Sequence, residues 1–346
     1  MKKVSQISLI GIIALLLIWQ LPWIYQFICA HPQQSAMRFM LFSPITYEFT
    51  YPDRGANDKL VGKDLAGHIY SANQLDSVLP LFYNRQLADR NAFPDSIMGK
   101  PINLKEIQEG RFMFRNFPED TNGPIAPLYM LLESAPKRLD FELPKDMFRC
   151  TTNGLEFITM QNNQIDLAKS TLFTQALKDV GCSFPIIHLH NIPNLRKRYD
   201  NGFLLVDRQH QLFHMQMTHN KPVCHRIDLP KDVLANQVFV TEFDSRKHYG
   251  FFTDTTNKMY VIDTPSYQIH PLDIPEFNPS TQEIMIIGNP YMWTIRIEDD
   301  RGTTFYGLDG SDYHQYRKKE YIYHNKPFMG LHFTSSNDGY VYPHWN

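Results

Sequence analysis

The feature that most constrains this chain is a recurrence of short strand-like runs across its C-terminal two-thirds. The clearest example is Tyr249–Ile274, YGFFTDTTNKMYVIDTPSYQIHPLDI. Phe251, Met259, Tyr260, Val261, Ile262, Tyr267 and Ile269 are aromatic, β-branched or long apolar residues, the kinds that suit a pleated, half-buried surface. Asp254-Thr255-Thr256-Asn257 and Thr264-Pro265-Ser266 separate them. Both are turn formers, because Asn and Asp side chains bond nearby backbone and Pro presets φ. The stretch reads as three strands joined by two tight turns, and no window in it sets apolar residues at helical spacing. Related text flanks it. Asn201–Pro230 carries GFLLVDRQHQLFHMQM and then CHRIDLP, and the endings Ile227–Pro230 (IDLP) and Leu272–Pro275 (LDIP) are near-copies. Gly154, Gly202 and Gly250, each 48 residues after the last, read as heads of equivalent strands. Ile284–Asp309 and Pro327–Tyr342 continue in the same manner. A period of roughly 40–50 residues with three or four strands per unit is the signature of propeller blades. The spacing therefore predicts an all-β chain with a β-propeller-like domain. An ordinary β-sandwich with accidental spacing is the alternative.

The N-terminus bears on compartment. Lys2 and Lys3 precede an apolar run, Ile7–Trp19, that carries on through Leu21, Trp23–Tyr25 and Phe27–Ala30. About 20 apolar residues span a bilayer. Trp19, Trp23 and Tyr25 suit the outer interface, and the lysines favour a cytoplasmic N-terminus. A cleaved signal peptide is the rival, but a cut after Ala30 would place Ile28 where a small residue is wanted. The expectation is one transmembrane helix over residues 1–30 and an extracytoplasmic domain over residues 31–346. A net charge of −2 leaves no basic footprint for nucleic acid. Of four cysteines, Cys29 belongs to the leader. Cys150, Cys182 and Cys224 allow at most one intramolecular bridge, and buried free thiols are the alternative.

Met37–Tyr51 alternates apolar and polar residues, placing Ile45, Tyr47, Phe49 and Tyr51 on one face. A strand from this region is expected to complete the last blade and cover its edge. Helical insertions are expected over about residues 64–110. Ser71–Arg90 is split by Pro80, and Asn103–Glu109 shows a capping pattern with Gly110 as its stop. Arg111–Phe117, Ala126–Glu133 and Arg138–Leu143 read as a first blade. Gly154–Met160 opens the second, interrupted by a helix at Lys169–Val180 that Gly181 ends, and Phe184–His190 resumes as a strand. Asn194–Tyr199, with Arg196, Lys197 and Arg198, reads as a solvated basic loop. Tyr313–Tyr323 reads as an edge strand guarded by Arg317, Lys318 and Lys319.

Four stretches carry a family resemblance: LPLFYNRQLADRNAFPDSIMGKPI at Leu79–Ile102, KSTLFTQALKDVGCSFP at Lys169–Pro185, IGNPYMWT at Ile287–Thr294 and NDGYVYPHW at Asn337–Trp345. In these the chain resembles an uncharacterised family of bacterial membrane-anchored proteins, filed as a domain of unknown function. The likeness covers most of the chain beyond the leader. It implies a single extracytoplasmic β-rich domain beside transporter components of the inner membrane, and it supplies no catalytic residues.

No G-x-S-x-G elbow, P-loop, H-E-x-x-H or C-x-x-C is present, so the common nucleophile, phosphate and zinc signatures are missing. The densest soft-ligand stretch is His210–His225. With Asn220-Lys221 as a two-residue turn, Met217 falls opposite Cys224. Met215, Met217, His219 and Cys224 would then converge as thioether, imidazole and thiolate ligands suited to Cu(I); a methionine-filled blade core is the structural reading. His188 and His190 share one side of a strand and read as a hydrogen-bonded or exposed pair. Asp299-Asp300-Arg301-Gly302 and Asp309-Gly310-Ser311-Asp312 read as turns rather than calcium loops. Asp140, Glu142 and Asp146 show no partner. The chain is thus read as an inner-membrane, single-pass protein with its C-terminal domain in the periplasm. Its expected role is binding: a scaffold or accessory subunit for a transporter permease. A small-ligand or copper sensor and a glycan-acting hydrolase or lyase are the alternatives.

Overall fold

A computed structural model describes residues 2–29, 39–55, 58–123, 127–138, 140–299, 301–322, 331–333 and 343–345. The chain divides into two compact units, one of Met1–Phe39, Glu298–Thr304 and Glu320–Asn346, the other of Met40–Ile297 and Phe305–Lys319. In the first, helix α1 runs from Lys2 to Cys29, and its Ile7, Leu9, Ile10 and Leu15 side chains are exposed. Among the described residues, whose side chains in α1 are those of 6–17 and 19–21, no helix is long and apolar enough to cross a membrane.

The second unit holds most of a succession of antiparallel meanders, of which the strand ends and turn within Glu298–Thr304 and the strand end from Glu320 to Ile322 fall in the first. Leu41–Ser43 (β1), Glu48–Arg54 (β2), Leu60–Asp64 (β3) and Ile69–Ser71 (β4) form the first sheet in chain order. Helices Ala72–Val78 (α2) and Asn84–Asp89 (α3) follow, broken at Pro80 as expected. Then come the small pair Ser96–Ile97 (β5) and Lys100–Pro101 (β6), and helix Leu104–Gly110 (α4), capped by Asn103 through the N–H groups of Lys105 and Glu106. Phe112–Asn116 (β7) precedes the short helix Pro118–Asn122 (α5). Asp146–Cys150 (β8), Leu155–Thr159 (β9) and Ile165–Asp166 (β10) make the second sheet, extended by a bridge from Tyr129 to Phe148. Helix Leu167–Asp179 (α6), capped by Asp166, packs Phe173 and Leu177 into this sheet's core and ends before Gly181 at φ +89°.

The third sheet is Ile186–His190 (β11), Phe203–Asp207 (β12), Leu212–Thr218 (β13) and Lys221–Ile227 (β14). The fourth is Ala235–Val240 (β15), His248–Asp254 (β16), Met259–Asp263 (β17) and Ile269–Pro271 (β18). Glu283–Gly288 (β19), Met292–Asp299 (β20), Gly302–Asp309 (β21) and Gln315–Ile322 (β22) form the fifth, and β7 joins it beside β19. In the first unit Leu331–Phe333 (β23) pairs with Pro343–Trp345 (β24).

From the second sheet to the fifth, each sheet packs face to face on the next, and the period of two shows it. Along β12, Phe203 and Leu205 enter a core shared with Phe148, Phe157 and Phe173 of the second sheet and α6. Leu204 and Val206, pointing the other way, enter a core with Val238, Val240 and Phe252 of the fourth. Phe239, Phe251 and Val261 of the fourth then pack on Ile284, Trp293 and Leu308 of the fifth. The fifth meets the first: Phe42 stacks on Tyr316 at 6.1 Å, and its N–H donates to Thr294 Oγ1 at 3.0 Å. Strands covered on both faces read as unbroken apolar runs, which is why FLLVD and MYVID lack clean alternation.

Buried aspartates close several of the hairpins. Asp207 Oδ1 accepts from the N–H groups of Gln209 and Gln211, and Asp254 Oδ1 from those of Thr256 and Lys258. Asp64 Oδ1 accepts from His68 N–H and Asp309 Oδ1 from Ser311 N–H. Each carboxylate substitutes for strand bonds lost at the turn. On Asp64, Asp254 and Asp309, the second oxygen takes a tyrosine hydroxyl: Tyr70, Tyr260 and Tyr316.

Several sequence expectations need correction. The first sheet is β1–β4, not Arg111–Leu143; β7 lies in the fifth sheet and Tyr129 extends the second. The last sheet is completed by β7 rather than by a strand of Met37–Tyr51, whose β1 and β2 pair with each other. Gly202 and Gly250 do not hold equivalent places: Gly202 lies just before β12, while Gly250 is inside β16 opposite Val240, the place that Leu204, opposite His190, takes in β12. At Gly202 a Cβ would fall 2.3 Å from Met215 O, and at Gly250 it would fall 2.0 Å from Phe239 O. Gly154 precedes β9, the middle strand of a sheet already extended through Tyr129. Asp146 has a partner, Lys169, at 2.8 Å. The edge strand at Tyr313–Tyr323 is present as β22, with Arg317 paired to Glu48 at 2.9 Å. Most of Pro327–Tyr342 lies outside the described residues.

Candidate functional site

Three edge strands from three sheets surround one cavity of about 540 Å³. From β7 and α5 come Met113–Asn116 and Asp120; from the end of β11, His190 and Ile192; from β15 and the turn after it, Phe239–Phe243. β11 and β15 are the first strands of their meanders, and β7 is the outermost strand on the β19 side of the fifth sheet. Among the described residues, each therefore has one side without a ladder partner. Phe114, Phe239 and Phe243 give the cavity an aromatic wall, and Asn116, Asp120, His190, Thr241 and Glu242 give it polar groups.

His190 is held in one tautomer. Its Nδ1 accepts from Val240 N–H at 2.9 Å, so the ring proton sits on Nε2. Burial pushes its pKa down to about 4 against the pull of Asp120, and the ring is neutral at neutral pH. Its neighbour His188 is lowered too, by burial and by His210.

Behind the wall lies a buried charge cluster. Lys197 Nζ contacts Asp200 Oδ1 and Glu242 Oε1, the latter at 2.7 Å, and the three side chains are only 5%, 2% and 5% exposed. Lys197 also donates to Ile192 O at 2.8 Å. Asp200 Oδ2 accepts from Ser134 Oγ and from Gly202 N–H. Glu242 Oε1 accepts a further bond from Asn201 N–H at 2.9 Å, while Glu242 Oε2 is buried with no hydrogen-bond partner. Burial raises the Glu242 pKa, Lys197 and Asn201 oppose that, and Asp200 adds to it. The expectation of a solvated basic loop at Asn194–Tyr199 fails at Lys197, which points inward; Arg198 keeps the exposed role, pairing with Asp244 at 3.1 Å. Nothing local announces this, because Glu242 lies 45 residues away. At the rim, Arg115 pairs with Glu283 at 2.8 Å and lies 3.9 Å over the Phe117 ring. Glu283 also meets Arg296.

All of this geometry falls within one matched segment. Residues 39–308 match the family described as Domain of unknown function (DUF4857). The chain belongs to the DUF4857 family. No curated protein is a detectable relative of it.

The soft-ligand hairpin of this DUF4857 chain folds in a different register from the one expected. Thr218 pairs with Lys221, Met217 with Pro222 and Met215 with Cys224. The turn is His219-Asn220, both at positive φ (53° and 60°), as a type I′ hairpin requires. Met217 therefore does not face Cys224. The shift is an even one, so Met215, Met217 and Cys224 still share a face, on the core of the second and third sheets. His219 is exposed in the turn, where its N–H and that of Asn220 donate to the two Glu133 oxygens at 2.7 and 2.9 Å. Among the described residues no group of three or more His, Cys, Asp or Glu is placed to hold a metal. Cys150, Cys182 and Cys224 are free thiols gathered at that same core. Burial pushes each of their pKa values up to about 12, which disfavours the thiolate that both metals and oxidants need.

Proposed function

We propose that this DUF4857 chain is a binding module: a five-bladed, β-propeller-like domain anchored to the outer face of a bacterial inner membrane through α1, acting as an accessory subunit of a transporter permease. The observation that carries the reading is the packing order. The sheets follow one another along the chain, each of the last four packs on the next, and the fifth returns to pack on the first. A ring keeps this packing order and adds one contact, between the first and second sheets. The edge strands β7, β11 and β15 around one cavity fit the inner strands of such a ring. Rigid rings present wide faces, and an anchor keeps the domain beside membrane partners. The apolar leader and its preceding lysines support that anchor. Epitope-tagged full-length chain, extracted in mild detergent, is expected to co-purify with a multi-span membrane protein in constant ratio. Recovery as a lone monomer would remove the accessory-subunit role.

A second reading, a small-ligand sensor or carrier, is favoured by the cavity itself, which is roomy and mixed in polarity rather than a dry apolar plug. The hydrolase reading has less support, since it wants two carboxylates acting as a pair. The charged groups acting on Glu242 are Lys197 and Asp200, while Asp120 acts on His190. A copper role for Met215, Met217, His219 and Cys224 has less support still, given the exposed His219 and the neutral Cys224 thiol.

A further inference from the structure

We infer that the cavity is a binding site for a small organic cation, an ammonium carried on an apolar or aromatic body, with Glu242 as its counter-charge. The inference rests on the second reading above, that the cavity takes a ligand.

Glu242 is the first ground. Its side chain is nine-tenths buried, it forms part of the cavity wall, and Oε2 has no hydrogen-bond partner. A buried carboxylate oxygen without a donor costs folding energy, and because Oε2 is itself closed to solvent, a ligand N–H supplies the missing bond once the side chain turns toward the cavity. Charge is the second. In the cluster behind the wall one lysine faces two carboxylates, which leaves an excess of one negative charge beside the cavity. His190 adds no positive charge to offset it, and Asp120 adds another carboxylate to the lining. Arg115, on the cavity lining, pairs with Glu283, a carboxylate that it shares with Arg296. The walls are the third. Phe114, Phe239 and Phe243 offer ring faces and apolar surface, which suit an organic cation far better than a hydrated metal ion. His190 Nε2–H is a fixed donor and can take a carbonyl or hydroxyl next to the ammonium.

The test uses the full-length chain in detergent and two probes of matched shape, 2-phenylethylammonium and 2-phenylethanol, with binding followed by calorimetry and by the His190 ring resonances. The ammonium is expected to bind about tenfold or more tightly than the alcohol and to perturb His190. Glu242→Gln, which keeps an oxygen for Lys197, is expected to abolish the difference between the probes. Because the comparison of probes on the unaltered chain needs no variant, poor folding of E242Q leaves the test intact. Equal binding of both probes would overturn the charge assignment while leaving the cavity as a ligand site. Binding of neither would overturn both.

Discussion

Lys197→Met is expected to destabilise the domain by about 3–5 kcal/mol, the range found when one partner of a buried ion pair is removed. The substitution strips the cation from Asp200 and Glu242 and leaves both carboxylates inside with no counter-charge, while the methionine fills much the same space. Its pH dependence has a definite sign. Burial raises the folded-state pKa of Glu242 above its ordinary value. The native state therefore holds a proton more tightly than the unfolded chain, and stability falls as pH rises through the window between the ordinary and the raised value. Without Lys197 that window widens upward. The deficit of the variant should be larger at neutral pH than at mildly acidic pH, where protonation relieves the buried charge. Urea midpoints at the two pH values, with unchanged slope, provide the measurement. A deficit under about 1 kcal/mol, as for a surface pair, would mean that Lys197 is solvated.

Trp293→Ala is expected to cost about 3–5 kcal/mol, the range for deleting a fully buried large aromatic. Trp293 joins three pieces that are far apart in sequence. Its ring meets Phe112 of β7 at 5.0 Å, Phe251 of β16 at 6.0 Å and Tyr313 at 4.7 Å, and it is 1% exposed. Trp293→Phe keeps part of that contact and should lose roughly half as much, following buried area. Urea midpoints for both variants decide it, and equal losses for Phe and Ala would show that the ring's packing is not what the site depends on.

What was legible in the sequence followed from local chemistry. The β16–β17 hairpin came from turn residues between apolar runs. The α2–α3 break came from Pro80, and the α6 stop from Gly181. What was not legible depended on pairing at long range. β7 reads like the start of a blade, yet its ladder partner is β19, with Arg115 opposite Met285. The even spacing of Gly154, Gly202 and Gly250 is coincidence, because α6 lengthens the second sheet's stretch, a bridge from Tyr129 precedes β8, and Gly250 sits inside its strand where Gly202 precedes one. Register at the soft-ligand hairpin turned on which two residues take positive φ, and His219 is an unusual choice for one of them. The candidate site was half visible. His190 was singled out only as one of a pair, and Lys197 was disguised by two exposed-looking arginines beside it. Glu242 carried no motif at all, because its meaning comes from what folding places against it.

The most direct test of the account is the distance between the first and second sheets, the two whose contact would close the ring. Paramagnetic labels on non-cysteine side chains at Ile69 in β4 and Ile165 in β10, both exposed, leave the core thiols untouched. A closed ring of five sheets makes these neighbours, with a separation of roughly 15–25 Å. Sheets pack about 10 Å apart, so an open stack beginning at the second sheet and ending at the first would put them about 40 Å apart. A single population at the short distance is the predicted result, and a population centred at the long one would contradict the ring.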